Sequence, residues 1–135
     1  MARPRCFVVH WHPDELPKKA RVVEEAGGDV VGSESKDGRR AAQRIKDLEP
    51  DALLVWLSRL PSHGRVTAAF VRSQVWGRKM PILLVDGDPE ALPDDALAKV
   101  KSAVPDALFL KPAQLRLWLG KIAERKAEQA AESSR

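Results

Sequence analysis

The sequence is poor in several of the residues that usually announce a function. It has one cysteine, Cys6, no tyrosine and only 5% aromatic residues. A lone thiol excludes an internal disulfide, and beside an apolar run it is expected as a small core residue, not a reactive group. No apolar run approaches the ~18 residues of a membrane-spanning helix, so no membrane partner is expected. The opening Met1-Ala2-Arg3-Pro4-Arg5 leads straight into a short strand-like run, without the longer apolar stretch of a secretory signal. A cytoplasmic location is therefore the expectation. Charge of one sign is also lacking. The net charge of +4 is mild, and the cations are dispersed among acids, as Lys18 and Lys19 are with Glu24 and Glu25. Nucleic-acid binders concentrate their cations and interleave aromatics, so no nucleic-acid partner is expected.

Glycine is missing where nucleotide chemistry needs it. After the first apolar run stands His10-Trp11-His12-Pro13. A dinucleotide fold and a P-loop both require glycines there, so that backbone can approach phosphate. The Gly-x-Ser-x-Gly elbow of serine hydrolases is absent too, which leaves Ser58, His63 and Asp86 without the strained turn that exposes a nucleophile.

What the sequence does contain is a regular alternation. Cys6-Phe7-Val8-Val9 is rich in β-branched and aromatic residues and predicts a first strand. Pro13-Asp14-Glu15 opens a helix with Leu16, Ala20 and Val23 on one face, ended by Gly27-Gly28. Asp29-Val30-Val31-Gly32 predicts a short second strand. Asp37 or Ser35 caps a second helix with Ala41, Ala42, Ile45 and Leu48 on its apolar face. Residues 52–57 are continuously apolar, as in a parallel strand covered on both sides. Residues 58–64 read as a loop, and Val66, Ala69, Phe70 and Ser73 mark a third helix face. Pro81-Ile82-Leu83-Leu84-Val85 is the fourth strand, followed by a turn at Asp86-Gly87-Asp88-Pro89. Leu97, Val100 and Val104 mark the fourth helix. Ala107-Leu108-Phe109-Leu110 is the fifth strand, and Leu115, Trp118, Leu119 and Ile122 mark the last helix. Repeated strand–helix units with short connections predict a single α/β domain, a doubly wound, five-stranded parallel sheet with five helices. Periodicity does not give the strand order, and the flavodoxin-like order 2-1-3-4-5 is expected as the common solution for this size. The domain is expected over residues 1–125, with 126–135 a helix extension or disordered tail.

In such a sheet the functional rim lies beyond the carboxyl ends of the strands. That rim gathers His10, Trp11, His12 and Asp14, then Trp56, Leu57, Ser58, Arg59 and His63, then Asp86 and Asp88, then Lys111 and Pro112. His10 and His12, two apart in an extended segment, would point the same way. With Asp86 they form the metal-ligand alternative, and with Lys111 the alternative of a small-ligand domain or enzyme. No cofactor is otherwise expected.

Several segments resemble response-regulator receivers (the CheY-like family). Pro50-Asp51 before an apolar strand, Leu60-Pro61 and His63-Gly64 in the following loop, Pro81 to Val85, and Leu108-Phe109-Leu110-Lys111-Pro112 occur in the family's order across residues 5–125. The resemblance implies a receiver fold, and it locates the departures. Where receivers carry Mg²⁺-binding acids stand His10 and Trp11. Where they carry the phosphoacceptor aspartate stands Trp56, counting forward from Pro50, or Leu57, counting back from Pro61. Asp86 replaces the hydroxyl residue that contacts phosphate, and Leu108 the aromatic switch residue. Lys111 alone matches.

Without a carboxylate nucleophile and Mg²⁺, phosphoryl transfer has no route. The expectation is a degenerate pseudo-receiver, not an enzyme. It belongs to two-component signal transduction in bacteria and acts through protein–protein interaction. Its partner is a kinase, a scaffold, another signalling protein or a second copy of the chain. Lys111 is expected to pair with Asp86 across the rim, and Trp56 to fill the former acidic pocket. By the resemblance, Leu108, Leu117 and Lys121 lie on the face that receivers use for pairing. Trp76 and Trp118 are expected as helix packing residues.

Overall fold

A computed structural model describes residues 2–58, 60–86 and 93–133. Five strands, β1 (Arg5–Val9), β2 (Asp29–Glu34), β3 (Ala52–Trp56), β4 (Ile82–Val85) and β5 (Leu108–Leu110), alternate with five helices. The helices are α1 (Leu16–Glu25), α2 (Gly38–Leu48), α3 (Pro61–Ser73), α4 (Asp94–Ala103) and α5 (Leu115–Ser133). Every strand pair is parallel and the order is β2-β1-β3-β4-β5, the predicted flavodoxin-like topology. Residues 87–89 of the expected turn lie outside the described residues.

Side-chain alternation along the strands sorts the core into two layers. Phe7, Val9, Leu53, Val55, Leu57, Ile82 and Leu84 face α2, α3 and α4, meeting Ala41, Ile45, Ala68, Val71 and Val100. Cys6, Val8, Leu54, Trp56, Leu83 and Val85 face α1 and α5, meeting Val23, Leu115 and Leu119. β3 is buried at every position, as its unbroken apolar run predicts for a central strand.

Four readings of the sequence are corrected. β2 does not stop at Gly32. The β1–β2 register shifts between Cys6 and Phe7, so that Phe7 faces Gly32. A Cβ on Gly32 would stand 2.8 Å from the Phe7 ring. The glycine marks a bulge that lets an aromatic ring lie against the backbone, and the strand continues to Glu34. α1 begins at Leu16, not Pro13, because Glu15 and Leu16 bond back to His12 O and Pro13 O in a turn. Residues 58–64 are not all loop: Pro61, suited to a first helical position, starts α3.

The third helix also turns the other face inward. Gly64, Thr67, Ala68 and Val71 are buried, whereas Val66 is 60% and Phe70 40% exposed. Gly64 decides the rotation. A Cβ there would meet Val55 Cγ1 at 2.7 Å and Leu57 Cδ2 at 3.0 Å. Only the side lined by small residues allows α3 to lie this close to β3.

Local signals elsewhere worked as read. Asp37 Oδ1 accepts from the backbone N–H groups of Arg39 (2.9 Å) and Arg40 (3.3 Å) at the head of α2. α5 runs on to Ser133, and Lys126 on it meets Asp51 Oδ2 at 2.8 Å. No helix among the described residues is long and apolar enough to cross a membrane.

Candidate functional site

The strand registers set the rim. Val9 pairs with Val55, Trp56 with Val85, and Val85 with Leu110. The next residues, His10, Leu57, Asp86 and Lys111, therefore emerge together at the carboxyl ends. Backbone bonds extend the ladder there, Leu57 N–H to Val85 O and Asp86 N–H to Leu110 O, both 2.9 Å. This holds Asp86 and Lys111 side by side.

Lys111 Nζ donates to Asp86 Oδ2 at 3.1 Å. The pairing expected from the sequence forms, with Asp86 8% exposed and Lys111 55%. An anion at this place is already answered by the one cation that matches the receiver pattern.

The opposite side of the rim is closed by its own contacts. His10 is fully buried, with Nε2 2.8 Å from Glu15 Oε1. Glu15 was read from the sequence only as a helix-opening acid. Its place five residues after His10, across a proline-containing turn, was the available signal. Trp11 is half-buried: its Nε1–H donates to Ser58 O at 2.8 Å, tying the β1 turn to the segment after β3. His12 stacks edge-on against the Trp11 ring at 5.0 Å.

Trp56 and Leu57, the two candidates for the acceptor position, are both buried, at 1% and 0% exposure. They go to opposite layers, Trp56 towards α1 and α5 and Leu57 towards α2 and α3. Lys19, expected as a surface charge, is instead 7% exposed, with its ammonium 5.8 Å from the Trp56 ring centre. Its long apolar stem allows this burial.

The metal alternative of His10, His12 and Asp86 does not assemble. The chain turns after β1 instead of staying extended, so the two-residue spacing does not align the imidazoles. Among the described residues, no three His, Cys, Asp or Glu side chains gather as a metal-ligand set. Nor do Ser58 and His63 form a nucleophile–base pair. The buried Ser58 Oγ and both His63 nitrogens make no hydrogen bond. Burial holds the His63 imidazole below its usual range. Cys6 is a core residue, as expected: burial pushes its thiol up to about 12. Arg59 and Asp88 lie outside the described residues.

Of the predicted pairing face, Leu108 and Lys121 come together. They line a groove of about 340 Å³ with Trp118 and Ile122. Lys121 Nζ sits 4.6 Å from the Trp118 ring centre. Leu117 is 59% exposed and is not among the side chains lining that groove.

No protein-family model matches the sequence, and no curated protein matches it. Solved structures do match over nearly the whole chain. The signal receiver domain of a modulated diguanylate cyclase from Desulfovibrio desulfuricans G20 is 22% identical, with a TM-score of 0.65 covering 93% of this chain and 98% of that one. A LuxR-family two-component response regulator from Aurantimonas sp. SI85-9A1 is also 22% identical, with a TM-score of 0.65 over 95% and 98%. The Vibrio cholerae chemotaxis protein CheY4 is 18% identical, with a TM-score of 0.66 over 90% and 99%.

The fold is the receiver fold.

In this receiver fold the rim carries an ion pair, a histidine–carboxylate contact and buried apolar side chains. At these identities, the likeness concerns the fold. What the domain does is argued from the rim.

Proposed function

We propose that the chain is a pseudo-receiver: a signalling module of the two-component type that acts through protein contacts and is independent of phosphorylation. The observation that carries this reading is the Lys111–Asp86 pair. Asp86 puts a fixed carboxylate where the family resemblance puts a hydroxyl and a phosphoryl group, and it engages the lysine a phosphate would need. Two further features support it. His10 and Trp11 stand in place of the acids that would hold Mg²⁺. Trp56 and Leu57, at the acceptor position, are buried hydrocarbon and indole, and neither can carry a phosphoryl group. Phosphoryl transfer depends on a nucleophile and on neutralising the charge that develops. This rim supplies neither in the usual way.

The partner is a kinase, a scaffold or another signalling protein, met through the face formed by β5 and α5 with Leu108, Leu117 and Lys121. Incubation with Mg²⁺ and acetyl phosphate, followed by intact-mass measurement, tests the chemistry. The expected result is an unmodified chain. A phosphoryl adduct lost on substitution of a rim residue would overturn the reading.

A further inference from the structure

We infer that the α2–α3 face, distinct from the predicted pairing face on β5 and α5, is a docking surface for an acidic amphipathic helix of a partner protein. The large apolar side chains exposed among the described residues are Leu60, Val66, Phe70, Val75 and Leu117. All but the last lie on α3 or on the turns at its two ends. Val66 and Phe70, four residues apart, form a stripe along the helix. Val75, 77% exposed, continues the exposed apolar surface into the turn that follows.

Beside Phe70 a cleft of about 250 Å³ opens between α2 and α3. Phe70 and Trp76 give it aromatic walls, Arg39 and Lys46 supply cations, and no carboxylate lines it. The nearest acid on α2, Asp47, accepts from Gln43 Nε2 at 3.1 Å. Asp47 and Glu49 line a neighbouring cleft that shares Lys46 and Trp76 with this one, which leaves Arg39 as the cation that belongs to this cleft alone.

An apolar stripe beside an aromatic cleft with a cationic border fits helix-in-groove recognition. The partner's apolar residues would seat against Phe70 and Trp76, and its carboxylates would meet Arg39 and Lys46. The charge argues against a second copy, because a two-fold pairing of this patch would set like cations against one another. The apolar stripe argues against nucleic acid, whose backbone rewards cations and hydrogen-bond donors, not exposed valine and phenylalanine.

The inference rests on reading the domain as a protein-contact module, but the two fail separately. A phosphorylated rim would overturn the pseudo-receiver and leave this surface untouched. The test is an NMR titration of the ¹⁵N-labelled protein with a synthetic amphipathic peptide carrying leucines on one face and glutamates on the other. Controls are the same peptide with lysines for glutamates and a short DNA duplex. The glutamate peptide is expected to shift the Phe70 amide and the Trp76 indole. Phe70→Glu should weaken it by roughly tenfold or more, as for an interface anchor. Lys46→Glu should weaken binding and reduce its salt dependence, whereas Leu117→Glu should leave it unchanged. The spectra also report that each variant is folded.

Four results would overturn the inference. These are no shift on α2 or α3 with the glutamate peptide, equal binding of the lysine peptide, a DNA footprint on the same residues, or a concentration-dependent dimer abolished by Phe70→Glu.

Discussion

At the scale of single residues, the protein's decisive contact is between Lys111 and Asp86. Its strength is bounded by its exposure. Exposed ion pairs contribute ~0.2–1 kcal/mol, and breaking a buried one costs ~3–5 kcal/mol. With Asp86 8% and Lys111 55% exposed, Lys111→Ala is expected to destabilise the fold by about 1–2 kcal/mol, between those limits. Urea denaturation measures this. A change near zero would mean the pair is too well solvated to set the rim's conformation. Cys6 makes the complementary case for burial. Its thiol, raised to about 12 from 9.0, stays protonated and enclosed, so reaction with a thiol reagent at neutral pH should follow global unfolding. Prompt labelling of the native protein would contradict that. Because the folded-state value is the higher one, this group's contribution to stability is complete below pH 9.0 and is lost as the pH rises beyond it. The Lys111–Asp86 contact was legible from the sequence because both residues follow strands directly. Lys19 was not, since a lysine's position says nothing about whether its stem lies over an aromatic ring.

At the scale of elements, the packing of α3 on β3 depends on Gly64. A methyl group there would press on Val55 Cγ1 and Leu57 Cδ2, at 2.7 and 3.0 Å. Val55 lies in the fully buried β3 and Leu57, just after it, is also fully buried, so neither has much room to yield. Gly64→Ala should therefore cost about 1–3 kcal/mol through overpacking, in spite of alanine's better helix propensity. An increase in melting temperature would show that α3 can shift outward freely. Glu49 should behave in the opposite way. It closes α2 with φ 49°, the only positive φ among the described residues other than glycine. Glu49→Gly is expected to be neutral to stabilising, by up to ~1 kcal/mol. The strand-and-helix alternation was readable because each apolar run is short and bounded by Pro, Gly or Asp, whereas the order of strands was expected only as the common arrangement for a domain of this size. The inward face of α3 was not readable. Phe70 and Val66 are partly exposed while the buried face, Gly64, Thr67, Ala68 and Val71, consists mostly of small residues that hydrophobic periodicity discounts. β2 was cut short for a related reason. Gly32 looked like a terminator, but it makes room for the ring of Phe7.

At the scale of the whole molecule, one partly buried histidine couples stability to acid. His63 is held neutral by burial, its folded-state pKa lying below 6.5. The unfolded chain then binds more protons than the native one, so this residue's contribution is present above pH 6.5 and lost as the pH falls below it. His63→Gln should flatten the acid side of the stability profile, and an unchanged slope would assign acid sensitivity to other groups. The proposed reading of the rim rests on Asp86 and Lys111 and not on this titration. The five strand–helix units were legible because they are patterns repeated along the chain. The rim's real contacts were legible only in part: His10 with Glu15 and Trp11 with Ser58 depend on how the turn after β1 folds back.

The measurement that tests the central claim most directly is a ¹H–¹⁵N NMR titration with Mg²⁺ and beryllofluoride, a phosphoryl mimic. A pseudo-receiver with its lysine already engaged predicts no specific shifts at His10, Leu57, Asp86 or Lys111. Saturable shifts at these residues, dependent on both Mg²⁺ and beryllofluoride, would contradict it.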